Sequence, residues 1–362
     1  MTQGADSPAL AELRDRVRTA AADGRPLRIR GGGTKDFYGE ASAGDILDVR
    51  ALNGIVSYAP GELVVTARAG TPLADVERAL AEHDQMLAFE PPHHGAGTTL
   101  GGVVAAGFSG PRRAHAGAVR DFVLGVRVID GTGEALAFGG QVIKNVAGFD
   151  VSRLMTGALG TLGVLTEVSL KSLPRPRAET TRVLECDGPS ALQRVNAWGG
   201  RPLPVSATCH VDGRLWVRLS GAAPAIASAA RDIGGEETDG AAFWRAIRDQ
   251  THERLSGAGA SGATLWRLSV KSTAPWLEAA DEQVVEWGGA LRWVVTREHD
   301  AAPRLRQWAA THGGHATIYR GDDKSGGAFP PLPPTLLALH RRLKHVFDPQ
   351  RVLNPGRLSA EF

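Results

Sequence analysis

The spacing of apolar positions changes along the chain, and each change marks an element. Leu10, Leu13 and Val17 recur at helical spacing within residues 8–23, and Asp23-Gly24 follows as a stop signal. In PLRIRGGGTK, Leu27 and Ile29 alternate with Arg28 and Arg30, so a half-buried strand runs straight into Gly31-Gly32-Gly33. ILDVRAL and LVVTARAG read as strands, and PLADVERALAEHD as a helix with Pro72 near its start. DFVLGVRVID and EALAFGG flank a Gly131–Gly133 turn and predict a hairpin. GTLGVLTEVSLKSL is a further β-rich segment, ending at PRPR (174–177).

Beyond PRPR the texture differs. LQRVNAWGG and AIASAARDIGG have helical spacing, and PVSATCHVDGRLWVRLSG is a hairpin turning at Asp212-Gly213. LWRLSV, LRWVVT and ATIYR alternate as strands, with AAFWRAIRDQTHERL and APRLRQWAATHG as helices between them. This is an α+β pattern, an antiparallel sheet with helices on one face. Trp244, Trp266, Trp276 and Trp293 occupy apolar positions of these elements and read as core rather than as a redox relay. PPTLLALHRRLKHVFDPQRVLNPGRL is a helix followed by an extended tail. The expected division is 1–176, 177–340, and a tail, 341–362, returning to the first domain.

Composition narrows the function classes. A chain of 362 residues, 43% hydrophobic and 22% charged, suits two domains. A net charge of +2 without like-charge runs gives no footing for nucleic acid. The only cysteines, Cys186 and Cys209, form no CxxC pair, so cysteine supplies no iron–sulfur or zinc site, and a reducing compartment fits. No apolar run approaches the roughly 20 residues of a membrane span, and the N-terminus has no secretory core. A cytoplasmic protein is expected, touching the inner face of the plasma membrane only through partners.

Two segments carry the candidate chemistry. In RGGGTK (30–35), three glycines let successive amides converge on an anion, with Arg30 and Lys35 on either side. It is neither a P-loop nor a GxGxxG fingerprint. GTTLGGVVAAGFSGPRR (97–113) is nearly stripped of bulk before Arg112 and Arg113, as a backbone lying against something flat and large would require.

The order of RGGGTK, TTLGGVVAAGFSG and GTLGVLTEVSL resembles the FAD-binding domain of the vanillyl-alcohol-oxidase/PCMH flavoprotein superfamily, over roughly residues 10–175 and the tail 347–358. GFSGPRR, GAVRDFVLGVRVIDGTGEAL, VIKNVAGFDVSRLMTGALGTLGVLTEVSLKSLPRP and WRLSVKSTAP narrow the resemblance to the FAD-binding E subunits of bacterial glycolate oxidase. That resemblance implies a PCMH-type, two-subdomain FAD-binding domain and a smaller α+β cap domain with an antiparallel sheet. It implies that Gly31, Gly32, Gly33, Thr34 and Lys35 hold the diphosphate of FAD. Thr98, Thr99, Gly101, Gly102, Ala105 and Ala106 would line the cofactor, and the backbone of Val164 would lie near the adenine. The family resembled has its FAD in a multi-subunit enzyme oxidising glycolate, a 2-hydroxy acid, to glyoxylate. A homologous catalytic flavoprotein and an iron–sulfur subunit are the implied partners. The alternatives are a self-sufficient FAD-dependent 2-hydroxyacid or alcohol oxidoreductase and a structural subunit with a vestigial flavin.

Departures from the superfamily bear on this choice. GFSG (107–110) stands where catalytic relatives carry NASG, and THGGHATIYRGDD (311–323) lacks the HGDGN core that holds a metal and the hydroxy acid. His312 and His315 therefore read as strand-edge and loop residues, with no metal and no catalytic residue assigned. RGGGTK holds no histidine, so non-covalent FAD is expected. His93 and His94 read as a solvated loop pair, with nearness to the flavin or a covalent link as the sharper alternatives. Arg112 and Arg113 face a substrate carboxylate, a partner's acidic patch or solvent. Lys144-Asn145 belongs to the family-like segment without an assigned role.

Overall fold

The structure, a computed structural model, describes residues 7–141, 149–257, 262–278 and 282–362. Helix α1 (Pro8–Asp23) starts where the Ser7 side chain accepts from the Leu10 amide and stops at Gly24, whose φ of 64° closes the last turn. It buries Leu13, Val17 and Ala20 against β1 (Leu27–Arg30) and β2 (Asp45–Asp48), which pair in parallel. Leu27 also bridges in parallel to Leu353, so the tail extends this small sheet.

A five-stranded antiparallel sheet forms the centre of the first half. Its strands are β3 (Ile55–Ala59), β4 (Val64–Arg68), β6 (Val123–Ile129), β7 (Ala135–Gly139) and β8 (Val164–Lys171), in the order β3-β4-β8-β6-β7. The two-residue strands β5 (Gln85–Met86) and β9 (Leu173–Pro174) pair beside it. Helices α2 (Leu73–Ala81) and α3 (Leu100–Ala106) join its core, where Leu73, Val76, Leu100 and Val103 meet Val65, Ala67 and Val168. Short helices α4 (Arg113–Ala116) and α5 (Val151–Leu154) complete this half. Lys144 and Asn145 lie outside the described residues.

The chain passes to a second sheet between Pro174 and Ala178, at the PRPR segment. Its strands are β10 (Ala178–Glu185), β11 (Val205–Val211), β12 (Arg214–Gly221), β13 (Glu236–Thr238), β14 (Thr264–Ser269), β15 (Glu282–Glu286), β16 (Leu291–Thr296) and β17 (His315–Arg320). They pair antiparallel in the order β13-β10-β12-β11-β15-β16-β14-β17. Asp212 and Gly213 both take positive φ at the β11–β12 turn, as the hairpin requires. Helices α6 (Gly188–Gly199), α7 (Ala223–Ile233) and α10 (Ala301–Thr311) pack on one face. The other face is not free of helices, contrary to the sequence expectation. Trp244 and Ile247 of α8 (Ala241–Asp249) and Leu255 of α9 (Glu253–Ser256) pack there with Tyr38 and Phe108 of the first half. One helix was expected where α8 and α9 stand; Gln250, at φ 58°, breaks it. Trp244, Trp266 and Trp293 are buried and Trp276 half-buried, so the tryptophans serve the core.

Helix α11 (Pro334–Phe347) ends with Phe347 in the core of the five-stranded sheet. Lys344 and Asp348, both fully buried, form an ion pair at 2.7 Å. Lys344 Nζ also donates to the carbonyls of Thr161 and Leu353, while the carboxylate of Asp348 accepts from the amides of Val352 and Leu353. Such a buried pair is tolerable because hydrogen bonds satisfy the remaining donors and acceptors. Its effect is to return the tail to β1.

Candidate cofactor site and domain interface

At the end of β1 the chain enters the glycine loop, and the loop, α3 and the tail enclose a cavity of about 320 Å³. Gly31, Gly32, Gly33, Thr34 and Lys35 line it, as do Thr99, Gly101, Gly102, Ala105 and Ala106. The two remaining expected residues stand just behind its wall. Thr98 is buried with its hydroxyl 3.1 Å from that of Thr34. Val164 is buried between Gly163 and Leu165, which line the cavity.

The small residues have two separate causes. A Cβ on Gly32 would stand 1.6 Å from the carbonyl oxygen of Gly97, so this glycine is required by chain against chain. A Cβ on Gly101 would likewise press on Ala69. Gly102 differs: its Cβ would meet only Thr99 Oγ1 at 3.1 Å and Lys35 Nζ at 3.9 Å, both on the cavity wall. At Gly102 the fold opposes bulk only through a side chain that can shift, whereas at Gly32 and Gly101 the obstacle includes backbone. The segment is also a helix, which its glycines conceal: the Thr99 side chain caps α3 by accepting from the Gly102 amide, and Gly107 ends it at φ 71°.

The loop offers donors to an anion. Among the described residues, the amides of Gly31, Gly32, Gly33 and Thr34 have no protein acceptor. The four residues are half-buried, and amides without a protein partner converging there suit an anion such as a diphosphate. Lys35 adds a buried amine, whose desolvation lowers its pKa to about 8. Arg30 lines the cavity with its guanidinium against Gly33 and also pairs with Asp36 at 2.9 Å. Arg357 of the tail donates to the carbonyls of Lys35, Asp36 and Glu40 and so clamps the loop. Asn354 accepts from the Ile29 amide at 2.7 Å and donates to the Leu159 carbonyl at 2.6 Å, and both it and Arg357 line the cavity. Sequence reasoning missed both tail residues, because nothing local ties them to a loop more than 300 positions earlier. The residues present fit FAD.

The histidine and arginine pairs depart from expectation. Neither His93 nor His94 lines the cavity, and neither is a solvated loop residue. His93 Nε2 meets Glu77 Oε2 at 2.7 Å, and its amide donates to Asp249. His94 Nε2 lies 3.1 Å from the Tyr319 hydroxyl among Phe37 and Phe108. Burial, then the charges of Lys35 and Arg320, lower its pKa to about 3, so it is neutral. Arg112 is buried, pairing with Glu179 at 2.7 Å and donating from its amide to Glu90, which Arg218 also pairs at 2.8 Å. Arg113 is half-buried, 4.4 Å from the centre of the Trp287 ring. The two arginines therefore join the halves of the chain instead of facing solvent.

Beside that join a cavity of only about 20 Å³ lies among Phe108, Gln250, Arg267, Glu286, Trp293 and Tyr319. Burial raises the Glu286 pKa to about 7, against the hydrogen bond from the Trp293 indole at 2.7 Å. His315 opens the edge strand β17, and the His312 ring meets the Trp308 carbonyl. Among the described residues, no three His, Cys, Asp or Glu side chains gather as a metal site, and no helix is long and apolar enough to cross a membrane.

Comparison with known proteins agrees with this geometry. The FAD binding domain family matches residues 9–139, and the C-terminal domain of FAD linked oxidases matches residues 332–358. The glycolate oxidase subunit GlcE of Escherichia coli is 47% identical over 349 residues, covering 96% of this chain and 97% of that protein. The chain belongs to the GlcE family. FAD is its cofactor. Glycolate oxidase subunit GlcD of Bacillus subtilis is 32% identical over 171 residues, covering 46% of this chain and 36% of that one. A D-lactate dehydrogenase of Archaeoglobus fulgidus is 25% identical, covering 92% and 86%. In structure, alkyldihydroxyacetonephosphate synthase superposes with a TM-score of 0.67 at 15% identity, covering 95% of the GlcE-family chain and 75% of its own. That likeness is one of fold; the chain itself has the PCMH-type FAD-binding fold with mixed helices and antiparallel sheet.

Proposed function

We propose that this chain is the FAD-binding subunit of a multi-subunit glycolate oxidase that converts glycolate to glyoxylate, with the hydroxy-acid chemistry mainly on a homologous, GlcD-like flavoprotein. The carrying observation is the full-length identity with GlcE, together with a cavity lined by unpartnered amides. The glycine loop and Lys35 hold the diphosphate, with Thr98 behind Thr34; Thr99, Gly101, Gly102, Ala105 and Ala106 form the flat wall, and Val164 backs the adenine. Bound there without a covalent link, FAD supplies a two-electron acceptor. Residues 1–176 and 341–362 form the FAD-binding unit, with 177–340 as the cap. An iron–sulfur subunit takes the electrons onward, and the cytoplasmic complex reaches the membrane only through its partners.

Oxidising a 2-hydroxy acid requires a cation for the carboxylate, a base for the hydroxyl proton and a carbon held within transfer distance. The small space at the domain join, the neutral His94 and the paired Arg112 support a subunit that does not supply these alone. Anaerobic mixing of the pure, FAD-loaded chain with glycolate tests this. Negligible bleaching of the flavin is expected, with bleaching restored when the GlcD-like partner is present. Fast, saturable bleaching by glycolate alone would overturn the reading in favour of a self-sufficient enzyme.

A further inference from the structure

Four cationic side chains line the large cavity: Arg28, Arg30, Lys35 and Arg357. Three are engaged. Arg30 pairs with Asp36, Lys35 Nζ donates to Thr34 Oγ1 at 3.3 Å, and Arg357 spans three carbonyls of the loop. Among the described residues, Arg28 alone of the four has neither an acceptor nor a counter-ion, and its Nε is buried; Arg30 Nε, beside Asp36 at 2.9 Å, is also buried without a hydrogen bond. A second orphan shares the wall: Ser42 Oγ is buried, unpartnered and lines the same cavity. A buried donor without an acceptor costs about 1–3 kcal/mol, more when charged, so two of them at one cavity point to a ligand.

Their position says which part of the ligand. Arg28 lies on β1, three residues before Gly31, and a strand advances about 3.3 Å per residue. Its Cα therefore stands about 10 Å back from the anion loop, on the strand stem. The stem pairs with β2 and, at Leu27, with the tail. Gly102, Ala105 and Ala106 belong to the other element, α3, whose small residues form the flat wall. The cavity is lined on one side of the loop by α3 and on the other by the β1 stem, room for the two halves of a dinucleotide.

We propose that Arg28 and Ser42 form a subsite for the adenosine monophosphate half of FAD. The Arg28 guanidinium donates to the adenosine-side phosphate or ribose oxygens, and Ser42 to the ribose or the base. This rests on the FAD reading of the cavity. It gives the charge role that the sequence suggested for Arg30 to the arginine two positions earlier, and it makes the site select FAD over FMN.

The test is flavin titration of the apo-protein, followed by fluorescence, with FAD, FMN and ADP as ligands. Wild type is expected to bind FAD; failure to do so would overturn the FAD reading itself. Given that binding, Arg28→Gln is expected to weaken FAD and ADP alike by about 10- to 100-fold and to leave FMN unchanged. Ser42→Ala is expected to weaken the same two ligands by less than Arg28→Gln. Arg30→Gln, which breaks a pair already made with Asp36, is expected to change FAD affinity less than Arg28→Gln. Unchanged FAD affinity in Arg28→Gln, or an equal loss for FMN, would overturn the subsite while leaving the FAD reading standing. Unaltered thermal unfolding in Arg28→Gln separates lost binding from lost folding.

Discussion

The Tyr319 hydroxyl and His94 Nε2 meet at 3.1 Å, joining strand β17 of the eight-stranded sheet to the first half of the chain. Tyr319 is fully buried and its phenol held well above the ordinary range by desolvation, so the pair is neutral on both sides. A histidine whose folded pKa lies near 3 stays unprotonated while the unfolded chain takes its proton below about 6.5. Its stabilising contribution is full above 6.5 and is lost as pH falls through the window down to about 3. Glu286, held near 7, acts in the opposite sense: the native state protonates first, so falling pH from 7 to about 4.5 favours the fold. The comparison that isolates His94 is therefore wild type against His94→Gln, with Glu286 common to both. Urea unfolding at pH 7 and pH 5 is expected to show wild type losing about 2 kcal/mol more than the variant. Equal losses would place His94 in a solvated state.

In the proposed site, Lys35 is expected to set the pH dependence of flavin binding. Its amine is charged below a pKa of about 8 and neutral above it. A diphosphate binds the charged form better, so the FAD dissociation constant is expected to be flat below pH 8 and to rise above it. Titrations between pH 6.5 and 9.5 check this, and Lys35→Met is expected to remove the rise while weakening binding at pH 7.

Gly102 and Gly32 separate cavity from fold. Gly102→Val places its Cβ 3.1 Å from Thr99 Oγ1, the group that caps α3, and 3.9 Å from Lys35 Nζ. This variant is expected to lose FAD and to keep more thermal stability than Gly32→Ala, because only side chains must give way. Gly32→Ala drives a methyl into the Gly97 carbonyl and is expected to lower stability even without flavin. Calorimetry of both apo-variants, with FAD titration, tells the two causes apart.

Removing the cation from the buried Lys344–Asp348 pair leaves a carboxylate with backbone amides alone. Lys344→Met is expected to cost about 3–5 kcal/mol in denaturant unfolding. The double variant Lys344→Met/Asp348→Leu is expected to recover part of that, because no unpaired charge remains.

The sequence revealed what is patterned locally. The β1 strand entering RGGGTK, the β6–β7 hairpin and the Asp212-Gly213 turn all follow from alternation and turn chemistry. It hid α3, because two glycines in seven residues argue against a helix on propensity, while capping by Thr99 and packing against the sheet decide for one. It hid Asn354 and the partner of His94 for another reason. Those hydrogen bonds span 325 and 225 positions, and no periodicity reports them. Arg28 and Arg30 look alike in sequence; only Asp36 distinguishes them.

Asn354 bonds to the very strand that leads into the anion loop, from 325 residues away. On the ribosome, the five-stranded sheet has all its strands once Lys171 has emerged, but the nucleotide compartment still lacks a side until Asn354 and Arg357 arrive. Cofactor capture is therefore expected only after residues 178–320, which carry the second sheet, have been synthesised. Ribosome-stalled chains ending before residue 341 are expected to collapse into a sheet that takes up no flavin.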